Sequence, residues 1–307
     1  MSVLIHEDFE SIDLQQMPVG PRHQLLLSVV APRPIALVGS VDSQGRANLS
    51  PFSFFNCFGA NPPVIAVSPA YSGRTGEPKH SHLNILETKE FTVSIVNYDC
   101  VEMINLASGE YPRGVDEFEK AGFTKLKSQK IKAPGVANSP SVLECRLMSH
   151  VELGGKPGSG NLMIAEVVHM SLSRSVRGVD GKVDPRKLDL VSRMGGDWYS
   201  RAKEGLFELA KPAFSGVGVD ALPTWVRSSE VLTGKHLSRL GSVKELPAFG
   251  QLVLTAEDEA SFTALKSHEK GFASGLEQQL AGFCENGEIG RAFSWIARAN
   301  REKDLRE

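Results

Sequence analysis

The stretch SPFSFFN, Ser50 to Asn56, sets three phenylalanines among two serines, a proline and an asparagine. If this stretch is one strand, alternation places Ser50, Phe52, Phe54 and Asn56 on one face, with Ser53 and Phe55 on the other. A flat heteroaromatic ligand needs a flat apolar wall with donors and acceptors at its rim. The Ser53 hydroxyl, the Asn56 amide and the backbone around Ser53 and Phe54 are groups that meet that need. A sheet packed on one side and wet on the other would give the same pattern. A second group, Lys79, Ser81 and Asn84, falls at the start of an expected helix. Free backbone amides and the positive end of the helix dipole make such a place a natural anion site. Equally, Ser81 could cap the helix and Lys79 stand in solvent. Together the wall and the anion site suit a ligand that has both a ring and a phosphate.

Other signals carry less. GGKPGSG has glycines and a lysine but lacks the GK[ST] ending of a phosphate-binding loop, so it reads as a hairpin loop. His80 and His82 stand two apart on the expected helix and point to different faces, which argues against a shared metal site. No Ser-His-Asp set or carboxylate pair can be assembled from spacing alone. The four cysteines, Cys57, Cys100, Cys145 and Cys284, are scattered among apolar neighbours without a CxxC. They read as reduced, small hydrophobic residues.

The elements that must hold these residues follow from pattern. IALVGSV (Ile35 to Val41) reads as a strand, DSQG as a tight turn, and Ala47 to about Phe55 as the return strand. Asn61-Pro62-Pro63 is a turn before the strand VIAVS, and Pro69 to Pro78 is a loop. A helix is expected over His80 to Thr88 and a strand over Phe91 to Val96. Short helices are expected at Cys100–Ala107 and Glu117–Ala121. Two long strands follow, Ser141 to Leu153 and Asn161 to Leu172. The chain is thus mainly β with α, and the absence of long alternating helices favours a small barrel or sandwich over parallel βαβ units. After about Pro212 the pattern turns helical, over Glu257–Lys270, Phe272–Cys284 and Glu288–Lys303. The expected domains are residues 1–212 and a helical extension over 213–307.

The 307 residues carry a formal net charge of -2, which argues against a broad footprint for nucleic acid or an anionic membrane. No apolar run approaches the ~20 residues that span a bilayer, and the acidic start MSVLIHEDFESID does not read as a signal peptide. A cytoplasmic protein is the expectation.

The blocks PRPIALVGSVDSQGRANLSPFSFFNCFGANPPVIAVSP, PKHSHLNI, PRGVDEFEKAGF, SPSVLECRL and LDLVSRMGGDWYSR occur in this order from about Arg22 to Pro212. In them the chain resembles the flavin reductase-like FMN-binding family. The resemblance implies an FMN-binding split β-barrel core, a homodimer, and FMN at or near the subunit interface. By position it implies ring contacts from Ser53 and Asn56, with Phe54 adjacent, and places Ser68 near the ribityl chain. It assigns the phosphate to Lys79, Ser81 and Asn84, with Arg74 as an additional ligand and Tyr199 as a cover over the flavin. His80-Ser81 stands where family members often have Asp-Thr; the hydroxyl is kept and the local charge is changed. PRGVDEFE is expected to border the substrate side, or simply to start a helix capped by Asp116.

The implied activity is hydride transfer from NADH or NADPH to flavin, with electrons passed to flavin, oxygen or a partner such as a monooxygenase. Because the cofactor carries the electrons, no catalytic triad is required. Two alternatives stand beside it: an FMN-binding electron carrier without nicotinamide activity, and a non-catalytic ligand-binding dimer.

Overall fold

A computed structural model describes residues 9–209, 211–212, 214–267 and 271–302. The chain divides into two compact units, Met1–Phe207 and Glu208–Glu307. In chain order the first unit begins with α1 (Val19–Val29), β1 (Arg33–Pro34), β2 (Ala36–Val41) and β3 (Ala47–Phe52). β4 (Phe55–Ala60), β5 (Pro63–Val67), α2 (His80–Thr88), β6 (Glu90–Ile95), α3 (Val101–Ala107) and α4 (Glu117–Lys120) come next. β7 (Lys125–Leu126), β8 (Gly135–Val136), β9 (Ser141–Glu152) and β10 (Asn161–Leu172) lead to α5 (Pro185–Leu188), β11 (Val191–Arg193) and β12 (Tyr199–Arg201).

Seven of these strands form one antiparallel sheet in the order β3-β2-β6-β9-β10-β5-β4. Its two edge strands, β3 and β4, are neighbours in the chain, joined only by Ser53 and Phe54. A sheet whose opposite edges are tied by two residues must curl until those edges meet. The expected strand Ala47–Phe55 is therefore broken: the chain leaves the β2 edge at Phe52 and joins β5 at Phe55. The break cancels the alternation across the seam, so Phe54 and Asn56 do not continue the face of Ser50 and Phe52.

β2 runs through the middle of two cores and is buried along its whole length. Leu37 packs with Leu49, Phe118 and Phe123 beneath α3 and α4, while Ala36 and Val38 pack with Phe91, Ile85 and Met163. Full burial of Phe118 alone is worth about 1.5–3 kcal/mol. Gly39 in β2 has no room for a side chain: a Cβ there would lie 2.2 Å from the Pro134 carbonyl oxygen and 2.5 Å from Thr92 Oγ1. The DSQG turn closes as expected, with Asp42 Oδ1 accepting from the Gln44 and Arg46 amides and Gly45 at φ 79°. The apolar run Leu25–Val30 lies in and just after α1, none of whose residues is buried. Cys57, expected among apolar neighbours, is exposed on the edge strand β4, whereas Cys100, Cys145 and Cys284 are buried.

The second unit is helical: α6 (Thr224–Arg227), α7 (Gly234–Gly241), α8 (Ala256–Lys266), α9 (Phe272–Glu285) and α10 (Ile289–Ala299). On α10, Ala292, Phe293, Trp295, Ile296, Ala297 and Ala299 are buried, all but Ala297 at the spacing of one helical face. They meet Phe262 of α8 and Phe283 of α9, whose rings lie 5.4 and 5.5 Å from that of Trp295. The expected helix ends at Lys270 and Lys303 lie outside the described residues. Among the described residues no helix is long and apolar enough to cross a membrane.

Candidate functional site

A cavity of about 940 Å³ opens along the seam between β3 and β4. One wall is the seam itself, Ser50 to Phe54; the opposite wall is the face of α1 that carries Val19, His23, Leu26 and Leu27. His23 meets Phe54 edge to face, with ring centroids 6.0 Å apart. The loop after β5, from Ala70 to Arg74, and the hairpin loop between β9 and β10 complete it. A smaller lobe of about 180 Å³ adjoins it at the start of α2, lined by His80 and Ser81. Ser50, Ser72, Lys79, Ser108 and Glu110 line both spaces.

Three of the expected serines stand in these walls, and each is held in the same way. Ser53 Oγ accepts from Arg33 Nε at 3.3 Å. Ser68 Oγ accepts from the Asn161 amide at 2.9 Å, and Ser81 Oγ accepts from Asn48 Nδ2 at 2.8 Å. Since a hydroxyl is one donor and two acceptor sites, each of these serines keeps its proton to donate. The walls therefore offer hydrogen-bond donors to an acceptor-rich ligand.

At the other end Arg74 and Lys79 stand among Glu77, Glu110 and Glu117. Lys79 is the N-cap of α2 and provides no side-chain cap, so the first-turn amides keep their donors. Ser81 lies inside the first turn and caps nothing. Arg74 and Lys79 both pair with Glu110, the latter at 3.4 Å. Burial, with the charges of Arg113 and Lys79 adding, holds the His80 imidazole below its ordinary value of 6.5. This favours the neutral imidazole. Glu117 also borders the small lobe. It is buried, and its Oε2 accepts from the Leu49 amide at 3.0 Å. Burial pushes its carboxyl up, and Asp116 adds to this. Asp116 is the cap of α4, accepting from the Phe118 amide.

Of the nine expected site residues, Ser53, Phe54, Ser68, Arg74, Lys79 and Ser81 line the joined space. Three do not. Asn56 is exposed past the seam, with its Oδ1 bonded to the Cys57 amide at 2.8 Å. Asn84 lies three residues on from Ser81 and is turned to β2, donating to Ser40 Oγ at 3.2 Å. Tyr199 lies on β12 in a separate cavity of about 470 Å³, with the Arg193 guanidinium 4.5 Å above its ring.

The sequence reading missed α1, Tyr71 and the GGKPGSG loop as walls. Val19, His23, Leu26 and Leu27 stand at helical spacing, a signal that was available. Arg22, also in the α1 wall, carries a buried Nε without a partner. An aromatic and aliphatic slot, free hydroxyl donors, an unpartnered guanidinium nitrogen and a cationic helix N-terminus together suit a flat, acceptor-rich ring that bears a phosphate. Among the described residues no cluster of His, Cys, Asp or Glu suits a metal ion.

Comparison with known proteins agrees with this geometry. Residues 29–182, half of the chain and wholly within the first unit, match the model of the flavin reductase like domain. An uncharacterized protein from Deinococcus radiodurans is 37% identical over 210 residues, covering 66% of this chain and 90% of the relative. The structure of nitrilotriacetate monooxygenase component B from Bacillus cereus superposes with a TM-score of 0.62 at 32% identity, over 66% of this chain and 100% of that one. A protein described as a candidate flavin reductase with split barrel domain, from Shewanella frigidimarina, gives 0.55 at 26% identity, over 66% and 96% of the two chains. The curled seven-stranded sheet is thus a split barrel, followed in the chain by a helical unit, and the protein belongs to the flavin reductase like domain family.

Proposed function

We propose that the first unit binds FMN in the seam cavity and works as a flavin-dependent oxidoreductase. It takes hydride from NADH or NADPH and passes electrons to free flavin, oxygen or a partner protein. The observation that carries this reading is the joined space: three serine hydroxyls free to donate, leading to a cationic helix N-terminus. When bound, the flavin supplies the electron chemistry. The residues do the rest. Phe52, Phe54 and the α1 face enclose a ring and exclude water; Ser53 and Ser68 fix its edge; Lys79, Ser81 and the α2 amides hold the phosphate, with Arg74 at the rim. A positioned ring then needs only room for a stacked nicotinamide about 3–3.5 Å away. No acid–base pair is required of the protein.

Likeness to a monooxygenase component B supports a partner protein as the electron acceptor. We place FMN at the interface of a homodimer. Exposed Phe58 and Met148 on the sheet are apolar surface that a second copy would cover, which sedimentation of the FMN-loaded protein tests. Anaerobic titration of the FMN-loaded protein with NADH and then NADPH tests the reaction. Bleaching of the flavin absorbance by either one is expected. A flavin that binds but is reduced by neither marks an electron carrier, and failure to bind FMN leaves a non-catalytic dimer.

A further inference from the structure

Arg33, in the PRP segment of β1, is 6% exposed, yet it has no carboxylate partner among the described residues. Its guanidinium donates instead to four neutral oxygens on three separate segments. Nη1 donates to the carbonyls of Leu27 at 2.5 Å and Val30 at 2.7 Å, at the end of α1. Nη2 donates to the Met194 carbonyl at 3.0 Å, and Nε donates to Ser53 Oγ at 3.3 Å. The C-terminal carbonyls of α1 offset part of the charge. Arg193, paired across the strands with Arg33, adds a second cation nearby.

A buried cation without a counter-ion is costly unless its surroundings solvate it well. Four neutral acceptors do that while leaving the net positive charge in place. Two of the four belong to residues of the cavity wall, the Leu27 carbonyl and the Ser53 hydroxyl, and of these only the hydroxyl has a proton to donate to a ligand. Arg33 itself does not line the cavity, so the route by which it reaches a ligand's acceptor atoms is the Ser53 hydroxyl. By occupying a lone pair of Oγ, Nε leaves the hydroxyl proton for the cavity. A charged donor also polarises that hydroxyl, which makes it a stronger donor in turn.

We propose that Arg33 is a positioning residue that sets the reduction potential of the bound flavin by holding Ser53 as a polarised hydrogen-bond donor. This inference rests on the FMN reading given above. Hydrogen bonds to charged groups are stronger than those to neutral ones. Reduction increases the negative charge on the ring's acceptor edge, so a donor there favours the reduced form over the oxidised one. The bond from Ser53 thereby raises the potential. Lysine keeps a charge but cannot replace the planar fork that joins α1, Ser53 and the Met194 segment.

The test compares the full-length, FMN-loaded protein with Ser53→Ala, Arg33→Gln, Arg33→Lys and the double variant Arg33→Gln/Ser53→Ala. Two quantities are read: the dissociation constant of oxidised FMN, and the potential by equilibrium reduction against a reference dye. Ser53→Ala and Arg33→Gln should each lower the ratio of reduced to oxidised affinity about tenfold, a fall of about 30 mV for a two-electron couple. The double variant should fall no further than Ser53→Ala alone, because both substitutions remove one contact. Arg33→Lys should shift in the same direction, whereas a further variant, Ser53→Thr, which keeps the hydroxyl, should match the wild-type potential. Unchanged potentials in Ser53→Ala overturn the proposal even if the Arg33 variants fail to fold. Additive shifts in the double variant also overturn it, since Arg33 would then act by another route. Wild-type protein that takes up no FMN refutes the functional reading itself, a result separate from bound FMN with an unmoved potential.

Discussion

Removing the Lys79 ammonium should separate FMN from riboflavin, two ligands that share a ring and differ in the phosphate. A unit charge pair at ~4 Å is worth about 1 kcal/mol in water and about 4 kcal/mol at the effective dielectric of a protein surface. Lys79 keeps 39% of its side chain exposed, so the lower half of that range applies. Freeing it from Glu110 costs a further ~0.2–1 kcal/mol, the usual size of an exposed ion pair. The α2 amides remain in the variant and retain part of the phosphate affinity. The net loss for Lys79→Ala is then about 1–2 kcal/mol, or roughly five- to thirtyfold in FMN affinity. Riboflavin should lose less than about twofold, because nothing in its ring or ribityl chain calls for a cation. Titrating the protein into each flavin and following fluorescence gives both constants. The FMN loss should shrink as salt is raised. Equal losses for the two ligands would refute the assignment of Lys79 and the α2 start to the phosphate.

Three further outcomes follow from named contacts. Glu110→Gln releases Arg74 and Lys79 from their carboxylate, so FMN should bind severalfold more tightly at low salt with riboflavin unchanged; weaker FMN binding would contradict it. Gly39→Ala forces a methyl against the Pro134 carbonyl and should lower stability by about 1–3 kcal/mol, read as a fall in Tm. His82 is 3% exposed, and burial foremost, with the charge of His150 adding, holds its imidazole below 6.5. A depressed folded value means that its contribution to stability is complete above the unfolded pKa of about 6.5. That contribution drains as pH falls through the folded value, so Tm should decline below about pH 6.5, and His82→Phe should flatten that decline.

Most of what local chemistry dictates was legible in the sequence. The DSQG turn, the α2 start, the paired long strands β9 and β10, and the α10 face each follow from short-range pattern. Lys79 and Ser81 could be placed together from the sequence because a helix start is a local feature, and both line the joined space. What escaped was set by closure. SPFSFFN reads as one strand, but its two halves pair with opposite edges of the sheet, and no local signal marks where Phe52 leaves β2 and Phe55 joins β5. Asn56 falls past the seam, outside the cavity lining, for that reason. Asn84 was grouped with Ser81 by spacing, although its amide is engaged by Ser40 in the packing of α2 on β2. α1 was overlooked because it buries nothing, and its role as a wall appears only when the seam opposite it is formed. Arg33 looked like a residue between two prolines; only the folded chain brings Leu27, Val30, Ser53 and Met194 to its fork.

The central claim is that the seam between β3 and β4 holds FMN, and a crystal structure of the protein grown with FMN tests it most directly. The account predicts the ring between α1 and Ser53–Phe54, with Ser53 and Ser68 in hydrogen-bond contact and the phosphate at Lys79, Ser81 and the α2 amides. A ring bound elsewhere, or a phosphate away from the start of α2, would contradict it.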